Sequence, residues 1–234
     1  MTLVKALNDS RQQEVLETFV GGAHDVLGDP ATAVEHYERA IGLARKSGNR
    51  SVEASSLNNI GKIRNDASDW DQARDYYFQA LPVFRALGNQ RTEGITLNNI
   101  GITYLLSGEP EKAVDYLHEA VSLLRVVKDK NAEAYSLSNI GDAYRRLADY
   151  QKALDFFQQA QTIQKDGNRS QEADTLDLMG VTYSEMGQPE KALTYHQQAL
   201  KIQREVGNVR REAVSLRNLG HVYTLMAQPD LALE

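Results

Sequence analysis

The chain of 234 residues contains no cysteine. This absence excludes disulfide bridges, thiolate metal sites and a cysteine nucleophile. Basic residues are in the minority, since 26 Lys and Arg against 32 Asp and Glu give a net charge of −6. Nucleic acids and anionic membranes bind basic surfaces, so we expect neither as a partner. Long apolar runs are also missing, because no stretch approaches the roughly 18 residues of a membrane-spanning helix.

Sequence motifs for catalysis and for cofactor binding are absent as well. The chain has no Gly-x-Gly-x-x-Gly, no Walker A pattern, no His-Glu-x-x-His and no Gly-x-Ser-x-Gly. None of the five histidines pairs with another at the spacing of metal ligands. We therefore expect a protein that is not an enzyme and that uses no metal or cofactor. The N-terminal residues lack the pattern of a signal peptide, so the expected location is cytoplasmic.

A repeat of about forty residues dominates what is present. Each copy contains a six-residue segment that opens with Ser-Leu or Thr-Leu and closes with glycine. A degenerate first copy ends at Gly21, and successive glycines are 40 residues apart except for one step of 39. Alanines recur 12 and 19 residues after these glycines. The five clear copies of the segment are 56–61, 96–101, 136–141, 175–180 and 215–220.

Each repeat is predicted to form two helices. The first half has apolar residues at helical spacing, as at Leu97 and Ile100. A break such as the Gly-Glu-Pro at 108–110 follows, and proline suits the first position of the next helix. The second helix ends at a Gly-Asn dipeptide in most copies, where glycine supplies a left-handed cap. We predict a single array over 1–234, with limits at 1–9 (the remnant of a preceding helix), 10–48, 49–88, 89–128, 129–167, 168–207 and 208–234 (a partial repeat).

The pattern Leu-x2-Ile-Gly-x2-Tyr followed by Ala-x3-(Phe/Tyr)-x2-Ala resembles the tetratricopeptide repeat (TPR). It is similar in detail to the long variety of roughly forty residues. That variety occurs in LGN/Pins scaffolds, kinesin light chain, bacterial peptide-sensing regulators and CHAT-peptidase-linked repeat proteins. The resemblance covers essentially the whole chain and implies an all-α fold, a right-handed superhelical solenoid of antiparallel helix pairs. Because packing residues define the family, the resemblance implies much less about the ligand.

Irregularities and chain ends add further expectations. The step of 39 arises from one residue missing in 161–166, which predicts a shorter second helix. Pro82 is expected inside a second helix, as a tolerated bend on the outer layer. At the C-terminal end, the first helix of the last repeat lacks most of the second helix that would pack on it. The start of that second helix is predicted at 229–234. Either the chain is a piece of a longer array, or copies self-associate through this end. The apolar strip concerned consists of Leu216, Leu219, Val222, Tyr223 and Leu225.

Candidate ligand-binding residues follow from the expected arrangement of the first helices. In a stack of helix pairs, these helices line the concave side, and residues between the packing positions point into the groove. The candidates are Asn58, Asn59, Lys62, Asn98, Asn99, Ile102, Tyr135, Asn139, Asp142, Arg145, Arg217, Asn218 and His221.

One repeat position holds asparagine in four copies, at Asn59, Asn99, Asn139 and Asn218. A carboxamide can pair with both the N–H and the C=O of a peptide backbone. Asparagines at this position do so in related families, so the resemblance implies peptide contacts here. The alternative is that each asparagine bonds a neighbouring helix and sets the geometry between repeats. The Lys and Arg of the carboxylate-clamp variety are missing, so chaperone C-terminal tails are not expected ligands. His196 is expected to be a packed substitute, because the same repeat position holds Tyr37, Tyr77, Leu117 and Phe157 in other copies.

Three functional hypotheses result. The first is a protein–protein interaction module that binds an extended peptide or a partner helix in the concave groove. The second is a sensory or regulatory TPR segment of a larger signalling enzyme, such as a CHAT-type peptidase or an NTPase. The third is a structural scaffold that self-associates through open solenoid ends. A catalytic domain encoded beyond Glu234 would favour the second hypothesis.

Overall fold

The computed structural model describes the backbone of residues 2–164 and 167–226, and the side chains of these residues from position 11 onward. This part of the chain contains eleven α-helices and no strand. The predicted all-α fold of antiparallel helix pairs is thereby confirmed. The helices are α1 (Thr2–Val26), α2 (Pro30–Ser47), α3 (Arg50–Asp66), α4 (Trp70–Ala86), α5 (Gln90–Leu106), α6 (Pro110–Val126), α7 (Lys130–Arg146), α8 (Tyr150–Gln164), α9 (Arg169–Glu185), α10 (Pro189–Glu205) and α11 (Val209–Leu225).

The Gly-Asn dipeptides end one helix and begin the next. Gly48 and Gly88 have φ angles of 77° and 65°, in the left-handed region that favours glycine. The Asn49 side chain then accepts a hydrogen bond from the backbone N–H of Val52 at 3.4 Å. This contact satisfies one of the free N–H groups at the start of α3. The local sequence therefore determines where each helix pair turns.

Three of the turn positions carry a side chain in the left-handed conformation. Ser68, Lys128 and Ala148 have φ angles of 62°, 58° and 58°. This conformation costs about 1–2 kcal/mol for a residue with a Cβ atom. We therefore expect Ala148→Gly to raise the free energy of unfolding by about 1 kcal/mol in urea denaturation. Gly108→Ala, at a φ of 82°, is the matched control and should lower it; a destabilised Ala148→Gly variant would contradict the argument.

The chain divides into two compact units, residues 1–109 and 110–234. In the first unit α1 packs against α2 and α3 against α4, while α3 also contacts α1 and α5. In the second unit α7 packs against α8 and α9 against α10, while α9 also contacts α7 and α11. Within the described part of either unit, the second helices of different pairs do not contact one another. The first helices therefore form the inner layer of each unit and the second helices the outer layer.

Small residues allow the helices of each pair to approach closely. The recurring alanines are fully buried, which confirms their predicted packing role. Four repeat glycines, Gly21, Gly61, Gly141 and Gly180, lie under the ring of a second-helix residue, as Gly61 does under Tyr77. The fully buried alanines are Ala33, Ala40, Ala73, Ala80, Ala113, Ala120, Ala153, Ala160, Ala192 and Ala199.

A buried glutamate in the first turn of several first helices forms a second repeated contact. The Glu133 carboxylate accepts hydrogen bonds from Arg125 Nε and Lys130 Nζ, each at 2.8 Å. Burial favours a higher Glu133 pKa, but the two cations outweigh it and hold the pKa below its usual value. The same eight-residue spacing ties a second helix to the following first helix at other repeats. These pairs are Arg45–Glu53, Arg85–Glu93 and Arg204–Glu212.

Gln164 interrupts an apolar column of the second helices, in which the same repeat position holds Phe84 and Leu124. Gln164 is 2 % exposed, and neither of its amide atoms has a hydrogen-bond partner among the described residues. A buried polar group without a partner costs about 1–3 kcal/mol. Gln164→Leu should remove this cost and raise Tm by about 2–4 °C for each kcal/mol of stability gained. Calorimetry measures the shift in Tm. Gln203 holds the same position in α10 but donates to Asp174 at 3.2 Å. Gln203→Leu should therefore gain less, and equal gains would contradict the explanation.

The predicted limit between a remnant helix at 1–9 and the first repeat falls inside α1, which runs without interruption from Thr2 to Val26. The equivalent positions Gly48 and Gly88 have left-handed backbone, whereas Asn8 has helical backbone, so the chain does not turn there. The first repeat therefore begins inside a helix.

One of the two internal irregularities is accommodated within a helix. Pro82 lies inside α4, which continues to Ala86, and the proline side chain is exposed on the outer layer as predicted. Helix α8 is described as far as Gln164, and the residues after it on which the predicted shortening falls, 165–166, lie outside the described residues. The predicted start of a further helix at 229–234 lies outside the described residues.

Candidate functional site

Hydrogen bonds between side chains join successive first helices. Thr96 of α5 donates from Oγ1 to Oδ1 of Asn58 in α3, at 3.1 Å. At the same repeat positions of the second unit, the hydroxyls of Ser138 in α7 and Thr175 in α9 are 2.8 Å apart. Buried polar groups are normally paired in this way. Asn58 is therefore engaged in holding α3 and α5 together, and the Thr that opens the segments at 96 and 175 is the sequence signal for this contact.

The four asparagines of the column are all half-buried, at Asn59, Asn99, Asn139 and Asn218. In the first unit Asn59 on α3 lies near Tyr37 on α2. Burial and the nearby Asp25 charge raise the pKa of Tyr37. Both roles predicted for the asparagines, contact with a peptide and contact with a neighbouring helix, stay predictions.

The predicted cation in the first unit is already neutralised. Lys62 Nζ lies 2.9 Å from Asp25 Oδ2 and 3.5 Å from Asp66 Oδ2. Burial favours a lower Lys62 pKa, but these carboxylates outweigh it and raise the pKa. An acidic ligand would have to displace an existing ion pair to bind Lys62.

The predicted cation in the second unit is likewise paired. Arg145 contacts Asp142 Oδ1 at 2.6 Å and Glu185 Oε1 at 2.5 Å, and its side chain is only 15 % exposed. Burial favours a lower Arg145 pKa, but the two carboxylates outweigh it and raise the pKa. Arg146 also contacts Asp142, at 2.9 Å. Asp142 and Arg145 therefore neutralise each other inside the inner layer.

Other candidates differ in exposure. Asn98 is buried at 4 % exposure and Tyr135 is 39 % exposed. Ile102 is half-buried. Arg217 is exposed and makes no hydrogen bond or ion pair with another described residue.

A cleft of about 210 Å³ opens in the inner layer of the second unit, and we call it the α9–α11 cleft. Asn218 and His221 of α11, both predicted as ligand-binding residues, line it. Val181 of α9 and Leu225 of α11 supply apolar walls. Ser184 and Glu185 of α9 and His196 of α10 complete the lining. The structure thus brings two predicted residues together with groups that were not predicted as ligand contacts.

His196 is fixed at the base of this cleft. Its side chain is 1 % exposed, which confirms its predicted packed position. Its Nδ1 lies 2.7 Å from Asp177 Oδ1, and Asp177 Oδ2 accepts a hydrogen bond from Ser215 Oγ at 2.5 Å. A carboxylate only accepts hydrogen bonds, so Nδ1 of His196 carries the hydrogen. Nε2 makes no hydrogen bond within the described part of the chain.

Several polar groups in the cleft have no partner. The Ser184 Oγ atom is buried and makes no hydrogen bond with any described residue. The side chains of Asn218 and His221 also make no hydrogen bond or ion pair with described residues. The Glu185 carboxylate, by contrast, is paired with Arg145. The cleft therefore combines apolar walls with unpaired neutral donors and acceptors, which is typical of a binding site.

Metal and membrane sites were also sought. No group of three His, Asp or Glu side chains in the described ranges is arranged to hold a metal ion. None of the helices, as far as the structure describes them, is long and apolar enough to cross a bilayer.

The comparison with protein families identifies a repeat. A family model described as "Tetratricopeptide repeat" matches residues 14–86, 92–166 and 171–234. A comparison with curated proteins finds no significant match.

Solved structures with related folds include signalling proteins. Aspartyl phosphate phosphatase F from Bacillus subtilis is 16% identical with a TM-score of 0.80, over 97% of this chain and 60% of that chain. A Rap protein complexed with competence and sporulation factor is 16% identical with a TM-score of 0.73, over 98% and 76%. A signal transduction ATPase with a tetratricopeptide repeat sensor from Pyrococcus horikoshii is 19% identical with a TM-score of 0.75, over 98% and 37%. At these identities the similarity shows the fold alone.

Proposed function

Because the chain belongs to the tetratricopeptide repeat family, we propose that it is a protein-interaction module that binds an extended peptide segment of a partner protein. The inner layer of the second unit is the proposed binding surface, with the α9–α11 cleft at its centre. The fold itself does not determine function, so the proposal depends on this site.

The unpaired polar groups of the cleft carry the proposal. Buried Ser184 Oγ and the free Asn218 and His221 side chains surround a space with apolar walls. An extended peptide presents backbone N–H and C=O groups together with side chains, and can pair with such groups without bringing in a charge. The paired state of Lys62 and Arg145 argues against a ligand bound mainly through its carboxylates.

A peptide-display selection on the purified chain tests the proposal. Random twelve-residue peptides should yield binders, and Asn218→Ala should weaken the selected peptide about five-fold, the equivalent of one net hydrogen bond. Gln198→Ala on the exposed face of α10 is the control and should bind normally. Failure to select any peptide, or equal affinity of the Asn218→Ala variant, would refute the proposal.

A role as the sensory segment of a larger signalling protein is a second candidate. It is favoured by the similarity to a signal transduction ATPase with a tetratricopeptide repeat sensor, of which this chain covers 37%. In this role the same cleft would bind the signal. A coding sequence without an adjacent enzymatic domain would exclude this candidate.

Self-association through the C-terminal end stays a prediction. On α11, Leu216 and Leu225 are 42% and 50% exposed, whereas Leu219 and Val222 are buried. Only part of the predicted apolar strip is therefore uncovered among the described residues. Sedimentation of the parent and of Leu216→Glu over a wide concentration range tests this, and a monomeric parent would exclude it.

A further inference from the structure

One residue type distinguishes the cleft from the equivalent positions of earlier repeats. The second-helix position that covers the repeat glycine holds Tyr37, Tyr77, Leu117 and Phe157 in other copies, but His196 in α10. The aromatic rings among these pack directly on their glycines, and His196 does so on Gly180. An imidazole is shorter than a phenol ring and lacks its terminal hydroxyl. Space that tyrosine fills in the two pairs of the first unit is therefore left open above His196.

The same replacement changes the neighbour of an asparagine. In the first unit Asn59 lies near the phenol of Tyr37. The equivalent positions at the end of the second unit are Asn218 and His196, and both line the α9–α11 cleft. No hydrogen bond joins these two side chains. The cleft therefore has an imidazole and an unpaired carboxamide at the positions where the first unit has a phenol beside its asparagine.

The size and polarity of the cleft restrict what can enter. Pockets for drug-sized ligands have about 300–1,000 Å³, so the 210 Å³ here suits one large side chain. His196 Nε2 can accept a hydrogen bond, because Nδ1 is committed to Asp177. Ser184 Oγ is buried without a partner. The negative charge of Glu185 is compensated by Arg145, so the inserted group should be neutral.

We propose that the α9–α11 cleft is a specificity pocket for a tyrosine side chain of the bound peptide, an inference that rests on the peptide-binding function proposed above. The ring packs between Val181 and Leu225, and the hydroxyl lies among His196 Nε2, Ser184 Oγ and Asn218. A phenylalanine fits the same space but leaves these polar groups unpaired, which disfavours its binding. The ligand thus supplies the aromatic hydroxyl that the repeat position has lost.

The test uses small probes so that it does not depend on finding the natural ligand. N-acetyl-tyrosine amide and N-acetyl-phenylalanine amide are titrated into the isotope-labelled chain, and NMR shifts of Val181 and Leu225 are followed. The tyrosine probe should bind about five-fold more tightly, the equivalent of one net hydrogen bond. Equal affinity of the two probes, or no shift at these residues, would overturn the proposal.

A variant that restores the residues of the other repeats provides the second arm. His196→Tyr combined with Asp177→Asn recreates the types found at Tyr77 and Asn58, so helical content should be retained. Tyrosine at position 196 should fill the cleft and weaken the tyrosine probe roughly ten-fold or more. Lys201→Ala, exposed on α10, is the control and should bind normally. A folded double variant with unchanged affinity would overturn the pocket.

The two proposals fail in distinguishable ways. If the tyrosine probe binds at the cleft but no peptide is selected from the library, the pocket is retained and the peptide-binding function is refuted. If peptides are selected that lack tyrosine and tolerate the double variant, the function is retained and the tyrosine pocket is refuted.

Discussion

Replacing Gly141 with alanine is expected to lower the free energy of unfolding by about 1–3 kcal/mol, in the range of overpacked cores. A Cβ atom on Gly141 would lie 2.5 Å from Cε1 and 2.6 Å from Cδ1 of Phe157. Phe157 is fully buried and cannot move aside without displacing its neighbours. Urea denaturation followed by circular dichroism measures the loss, and an unchanged midpoint would contradict the prediction.

Two further variants separate the clash from the general effect of adding a methyl group. Gly42 lies inside α2 with nothing within 4 Å of an added Cβ atom. Gly42→Ala should therefore stabilise by about 0.5–1 kcal/mol, because alanine has the higher helix propensity. Shortening the opposing ring in Gly141→Ala/Phe157→Leu should recover part of the loss. If the double variant loses more stability than the two single variants lose together, the clash is not the cause.

The regular part of the fold could be predicted because each helix limit depends on local chemistry. Proline, Asn and Gly at fixed repeat positions act through caps and φ angles within a few residues, as at Gly48 and Asn49. The continuous α1 could not be predicted in this way. Lys128 forms a left-handed turn without glycine, whereas Asn8 stays helical. Whether such a residue turns depends on the packing of both flanking helices, which local sequence does not contain.

The candidate site was predicted in part. Helical periodicity predicts Asn218 and His221 on one face of α11, and both line the cleft. The partners of Lys62 and Arg145 on neighbouring helices, Asp25 and Glu185, were missed because they lie 37 and 40 residues away. That separation is about one repeat length, so opposite charges on the inner faces of adjacent repeats were an available signal. The cleft itself depends on the size of His196, which only the three-dimensional arrangement relates to Asn218.

Asp177→Ala is expected to be the most destabilising change in the second unit, with a loss of about 3 kcal/mol, since two buried donors lose their partner. Its carboxylate accepts from the His196 ring and from Ser215, which are 1 % and 0 % exposed. An exposed carboxylate provides the control: Asp155→Ala on α8 should change stability by less than about 0.5 kcal/mol. Thermal and urea denaturation of both variants measure the difference, and equal stability would contradict a role for the buried network.

A double-mutant cycle assigns this loss to the two hydrogen bonds. Ser215→Ala removes one donor and should cost less than Asp177→Ala, since His196 keeps its partner. In the Asp177→Ala/Ser215→Ala variant only the His196 ring is left unpaired, so the combined loss should be smaller than the sum of the two single losses. Interaction energies of about 0.5–3 kcal/mol are typical of residues in one such network. Strict additivity would mean that Ser215 and Asp177 act independently, and the loss in Asp177→Ala would then be assigned to the His196 contact.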